Sequence, residues 1–143
     1  MFSPDGQDVV VEGGTIINTL LQDGSGAKNL RLEGVKIVNN TIMKGTNLML
    51  KDTQFLGSYT QQYVGGTKTI MNCHFSGTVT LSGAAAGYGS KLHYCVLLST
   101  LTVDVNNTSE LRYCSIDGAA SGDATSKLIK CYAPAGTGSL TIF

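Results

Sequence analysis

Aliphatic residues return along this chain about every twenty positions, and each return opens a hexapeptide of one pattern. The copies are Val11–Ile16, Leu32–Ile37, Leu50–Phe55, Ile70–Phe75, Leu92–Leu97, Leu111–Ile116 and a weaker Leu128–Ala133. Their first residues are all aliphatic. Their sixth are Ile16, Ile37, Phe55, Phe75, Leu97, Ile116 and Ala133, and their fourth are Gly14, Val35, Thr53, Cys73, Cys95, Cys114 and Cys131. The second, third and fifth positions are polar or variable. Such an order of inward and outward positions is a strand that ends, a corner, and a new strand that begins. Alternation of period two in Leu30-Arg-Leu32, Leu48-Met-Leu50, Thr78-Val-Thr-Leu81 and Leu101-Thr-Val-Asp-Val105 adds further strands. Residues 1–8 form a polar lead, residues 9–143 carry the repeat, and no stretch has the length and period of a helix.

A repeat of this length is the mark of a solenoid. The pattern predicts an all-β fold, a single-stranded parallel β-helix of about seven coils in which equal positions stack about 4.8 Å apart. The stacking makes a second prediction on the outside. Lys91, Glu110 and Lys127 would form one column of alternating charge, with Ser90, Ser109 and Ser126 beside it. A β-sandwich has strands of similar spacing but no copy-to-copy register, and so accounts for less of the pattern.

Composition narrows the function classes. Formal net charge is zero and 14% of residues are charged, so there is neither a basic stripe for nucleic acid nor an acidic tail. Gly is abundant at 18 and Pro scarce at 2, as suits short strands joined by turns. The opening Met1-Phe-Ser-Pro-Asp-Gly lacks the basic start and apolar run of a secretory signal. Apolar runs are too short to span a bilayer, so no membrane insertion is expected. Asn39-Asn-Thr41 and Asn106-Asn-Thr108 match the glycosylation pattern but read as turn residues.

The four cysteines fall in one inward column without Cys-x-x-Cys spacing, which points to stacked reduced core thiols rather than a zinc framework. His74 and His93 occupy different columns and are expected on the exposed face. Glu12, Glu33 and Lys51 would share one exterior column as a charge ladder. No catalytic residue, metal ligand or cofactor site is expected. Aromatic residues are the better contact candidates. Tyr94 and Tyr113 stand on consecutive coils at the third, outward position, while Tyr59, Tyr63 and Tyr88 lie in the longer loops 57–66 and 82–90. They are suited to stacking on sugars or filling a subunit interface, or to ordinary loop packing.

The columns resemble the right-handed parallel β-helix superfamily of pectate-lyase-like enzymes and bacteriophage spike and fibre proteins. The resemblance covers residues 9–143 and is architectural, so it carries over no catalytic residue. It implies right-handed coils. With few coils and no gathered acids, it implies a non-enzymatic bacteriophage virion protein, a small capsid-decoration or fibre/spike protein. Such a protein is made in the host cytoplasm and located in the virion. Its partners would be other virion proteins or a host surface glycan, reached through loops 57–66, 82–90 and 117–125. A homo-oligomer, with a trimer favoured, would use the apolar strand ending at Phe143 and an outer face drawn from Met43, Val79, Leu81 and Leu101. The alternatives are a polysaccharide lyase or hydrolase module and a polymer-forming scaffold. An ice- or surface-binding solenoid would need more Thr-x-Thr pairs than Thr78-Val-Thr80 and Thr100-Leu-Thr102.

Overall fold

Equal positions stack in the computed structural model of the chain, which describes residues 8–22, 29–44, 47–62, 68–82, 89–103, 109–122, 126–133 and 141–142. The first rung is β1 (Val9–Glu12), β2 (Thr15–Ile16) and β3 (Leu20–Gln22), and the second β4 (Asn29–Glu33), β5 (Lys36–Ile37) and β6 (Thr41–Met43). The third is β7 (Asn47–Lys51), β8 (Gln54–Phe55) and β9 (Tyr59–Gln61), and the fourth β10 (Lys68–Met71), β11 (His74–Phe75) and β12 (Val79–Leu81). Next come β13 (Ser90–His93), β14 (Val96–Leu97) and β15 (Leu101–Val103), then β16 (Glu110–Arg112), β17 (Ser115–Ile116) and β18 (Ala120–Ser121). Finally β19 (Lys127–Ile129) and β20 (Thr141–Ile142) lie on the first sheet.

The first strands of the rungs build an eight-stranded sheet, the second and third strands a six-stranded sheet each, and every pairing is parallel. The fold is a β-solenoid, with no helix among the described residues. Among the described residues, six rungs, and five turns between them, carry all three strands, rather than the seven coils expected. In the seventh, a lone bridge from Tyr132 to Ser115 takes the place of a second strand.

Register follows the columns. Val11 pairs with Leu32, Leu32 with Leu50, Leu50 with Ile70, Ile70 with Leu92, Leu92 with Leu111 and Leu111 with Leu128. Sixth positions pair likewise from Ile16 to Ile116. A one-residue slip would turn every aliphatic side chain outward, so the buried face locks the register. The core is this inner surface, with Leu32, Ile37, Leu50, Phe55, Ile70, Phe75, Leu92 and Leu97 wholly buried.

Two expectations about the outside are corrected here. Met43, Val79, Leu81 and Leu101 are all buried, because they occupy the inward positions of the third sheet. Tyr59 is not a loop residue. Gly57 makes the corner, and Tyr59-Thr-Gln61 then alternates as a strand, which turns Tyr59 inward. Its ring lies edge-on to Phe55 and Phe75, with centroids 5.0 and 5.2 Å away, and its hydroxyl donates to Gln61 Oε1 at 2.6 Å.

Candidate binding surface

The corner between the first and second sheets is made at the third position of the repeat by one residue in the left-handed backbone region. Gly13, Gly34, Asp52, Asn72, Tyr94, Tyr113 and Lys130 hold φ values of 69°, 66°, 50°, 52°, 56°, 55° and 51°. Glycine is at ease there, and Asp and Asn are tolerated, but a bulky residue is held against a cost of about 1–2 kcal/mol. The fourth residue closes the corner. Thr53 Oγ1 donates to the Lys51 carbonyl at 2.9 Å, and the thiols of Cys73, Cys95, Cys114 and Cys131 donate to carbonyls two residues back at 3.3–3.4 Å.

Tyr94 and Tyr113 therefore project from consecutive corners. Their rings stack at 5.1 Å between centroids and 6° between planes, and they are 58% and 45% exposed. The Lys130 ammonium lies over the Tyr113 ring, 5.6 Å from its centroid. Stacking at equal ladder positions contributes about 0.5–1.5 kcal/mol, which offsets part of the backbone cost. Below the pair, Asn72 Nδ2 donates to Asp52 Oδ1 at 2.5 Å. One face of each ring is thus turned to the other ring, and the second face of Tyr113 to a cation.

Beside this corner, the outer face of the first sheet carries the charge column that the sequence predicts. Lys91 pairs with Glu110 and Glu110 with Lys127, while His93 pairs with Arg112. Arg112 Nε donates to Glu110 Oε1 at 2.5 Å. That bond holds the Glu110 carboxyl below the usual carboxylate range, and the charges of Arg112, Lys91 and His93 add to the effect. His93 and His74 are half-buried rather than fully exposed. The column of Glu12, Glu33 and Lys51 also forms, and Glu33 receives hydrogen bonds from Lys51 Nζ and Arg31 Nη2, both at 2.5 Å.

Tyr63, Tyr88 and Phe143 lie outside the described residues, as do 63–66, 83–88 and 123–125 of the expected contact loops. Asn106-Asn-Thr108 lies outside them too, whereas Asn39 and Asn40 are turn residues. Asn39 donates to the Ile17 carbonyl at 2.6 Å, and Asn40 Oδ1 accepts from Ser58.

The cysteines stack as free thiols, buried except for half-buried Cys131. The hydrogen bond with Cys114 pulls the Cys95 thiol down, but contact with Cys73 and burial push it up further, to about 12. Cys114, pulled down by Cys131 and raised by Cys95 and burial, also stands at about 12. Both stay protonated at neutral pH, whereas the hydrogen bond with Cys95 lowers the Cys73 thiol in spite of its burial. No group of three or more His, Cys, Asp or Glu suited to a metal occurs among the described residues.

Sequence reasoning missed Lys68. It lies inward between Leu48 and Ser90, fully buried, and burial lowers its amine to about 8. Alternation from Ile70 back through Thr69 carries the signal, since Lys68 shares the parity of Ile70. No protein-family model, curated protein or solved structure matches the chain.

Proposed function

We propose that this chain is a non-enzymatic structural protein of a bacteriophage virion, a small β-solenoid decoration or fibre/spike protein that acts by binding. The observation that carries a binding role is the Tyr94–Tyr113 pair, two exposed aromatic side chains on corners that favour glycine. Backbone strain of this kind clusters at ligand clamps and contact sites. Tyrosine at such a place supplies large contact area at small entropic cost. The virion setting rests on the resemblance of the repeat to phage spike and fibre β-helices.

Self-association is part of the proposal. Ile17, Val38, Leu56 and Leu98 each follow a sixth-position residue and stand 67%, 36%, 40% and 45% exposed. Ser76 interrupts their column, which the main-chain ladder holds in line. An apolar ridge at this corner suits packing against further copies, with a trimer as the expected form.

Mass spectrometry and gold-labelled antibody imaging of purified phage particles test the setting. The protein is expected in stoichiometric amount on the particle, and its absence would sink the virion reading. Tyr94→Ser with Tyr113→Ser is expected to keep the fold by circular dichroism and to lose attachment to the particle or to host cells.

A further inference from the structure

Four free thiols stand one above another at the fourth position of the repeat, on Cys73, Cys95, Cys114 and Cys131. Closing the corner does not require sulfur, since Thr53 closes it with a hydroxyl. The thiols all point the same way. Besides the carbonyl two residues back, Cys95, Cys114 and Cys131 reach the carbonyls of Ile70, Leu92 and Leu111 in the preceding rung, at 3.7, 3.5 and 3.3 Å. Sulfurs so held form a row with the spacing of the rungs, about 4.8 Å. Disulfide sulfurs are about 2.05 Å apart, so side chains aimed in parallel at this spacing do not join without main-chain movement. The spacing fits a different bridge. A metal–sulfur bond of about 2.3 Å gives a linear sulfur–metal–sulfur unit about 4.6 Å long. A row does not converge on one point, and among the described residues no group of three or more ligating side chains suits a metal. Two ligands in line are what the row can offer.

We infer that neighbouring thiols of this row bind a soft cation that takes two ligands in line, Cu(I) being such an ion that thiolate sulfur selects. Hydrogen bonds link neighbours along the row, and the cation takes the place of a proton between two sulfurs. One thiol gives its proton to solvent and binds as thiolate, while the other keeps its proton and binds through a lone pair. No electron moves, and the bound unit is neutral, as an apolar interior requires. The first site is Cys114 with Cys131. Cys131 is half-buried at the end of the row, where a lone bridge from Tyr132 to Ser115, rather than a strand, holds its rung beyond β19. The second is Cys73 with Cys95, both buried, and it fills after the first.

Anaerobic titration of the reduced protein with Cu(I), followed by native mass spectrometry and thermal melts, tests this. About two ions per chain are expected, and each should raise the melting temperature because it ties two rungs together. Affinity should rise about tenfold per pH unit, since one proton leaves for each ion bound. Zn(II), which takes four ligands, should not bind. Cys114→Thr with Cys131→Thr keeps the corner closed through hydroxyls, as at Thr53, and should lose one ion and its share of the melting shift. With Cys73→Thr and Cys95→Thr added, binding should disappear, which separates the thiols from the exposed thioethers of Met49 and Met71. Circular dichroism checks the fold of each variant. Should the double variant unfold, Cys131→Thr alone, at the half-buried end of the row, is expected to show the same loss of one ion. Unchanged stoichiometry in the Thr variants, Zn(II) bound as tightly as Cu(I), affinity indifferent to pH, or no Cu(I) bound at all overturns the inference.

Discussion

Lys68 shows how one inward side chain sets a property of the whole protein. The protein lowers its amine from an ordinary 10.5 to about 8 by burial. Between those values the unfolded chain holds the proton and the folded one does not, so stability rises with pH from about 8 to about 10.5. Below about pH 8 the full cost of an ammonium in the core is present. Lys68→Met is expected to flatten that slope and to raise stability at neutral pH by about 1–4 kcal/mol. Urea unfolding at about pH 7, 9 and 10.5 checks both. Tyr59 is a second buried polar group, one whose hydrogen bonds set its position. Its hydroxyl donates to Gln61 Oε1, and Gln61 Nε2 donates to the Met43 carbonyl at 3.2 Å. Tyr59→Phe strands a buried acceptor and should cost about 1–3 kcal/mol, read from the same unfolding curves.

At the level of the repeat element, the corner is the unit that the fold reuses. Its left-handed residue explains why Gly, Asp and Asn fill the first four rungs, and it makes Tyr94, Tyr113 and Lys130 the exceptions. Tyr113→Gly relieves the backbone but loses the stack, so stability should change by less than about 1 kcal/mol. Tyr113→Val loses the stack and puts a β-branched residue at φ 55°, and should cost about 1–3 kcal/mol more. Thermal melts of the two variants separate these outcomes. The closing donor at the next position explains the cysteine column better than packing alone, since Thr53 makes the same bond from oxygen. Cys95→Thr should therefore be tolerated, within about 1 kcal/mol, whereas Cys95→Val loses the bond. The other corner is set by contact between rungs. A Cβ on Gly77 would meet the Gly57 carbonyl oxygen at 2.5 Å. Gly77→Ala must displace main chain and lower the melting temperature.

For the whole molecule, stacked rungs mean that stability is carried by nearest-neighbour layers. Ile70→Ala empties a position covered from both sides and should cost about 2–5 kcal/mol, while Ile16→Ala in the first rung, only partly buried, should cost less. Chemical denaturation of both variants checks the gradient. How much of this was legible beforehand follows from what a ladder makes local. Strand type, parallel register, the aliphatic columns, the thiol stack and the Lys91–Glu110–Lys127 column all depend on positions within one repeat. A single chain that repeats writes these into its own alignment. The sequence did not reveal that Gly57 is a corner and Tyr59 core, because a Gly-rich stretch with tyrosines reads equally as a loop. Nor did it place Lys68 inside, since a lysine ordinarily marks the solvent face and only the pairing with Leu48 and Ser90 overrides that. The repeat by itself determined the architecture, because burial of period two and a hexapeptide that recurs about every twenty residues leave one register that hides the aliphatic residues. Tertiary structure alone decided how the surface is arranged at the tyrosine corners. Ring orientation, the left-handed corners and the seating of Lys130 over Tyr113 depend on how residues 17 to 22 positions apart are set above one another in space.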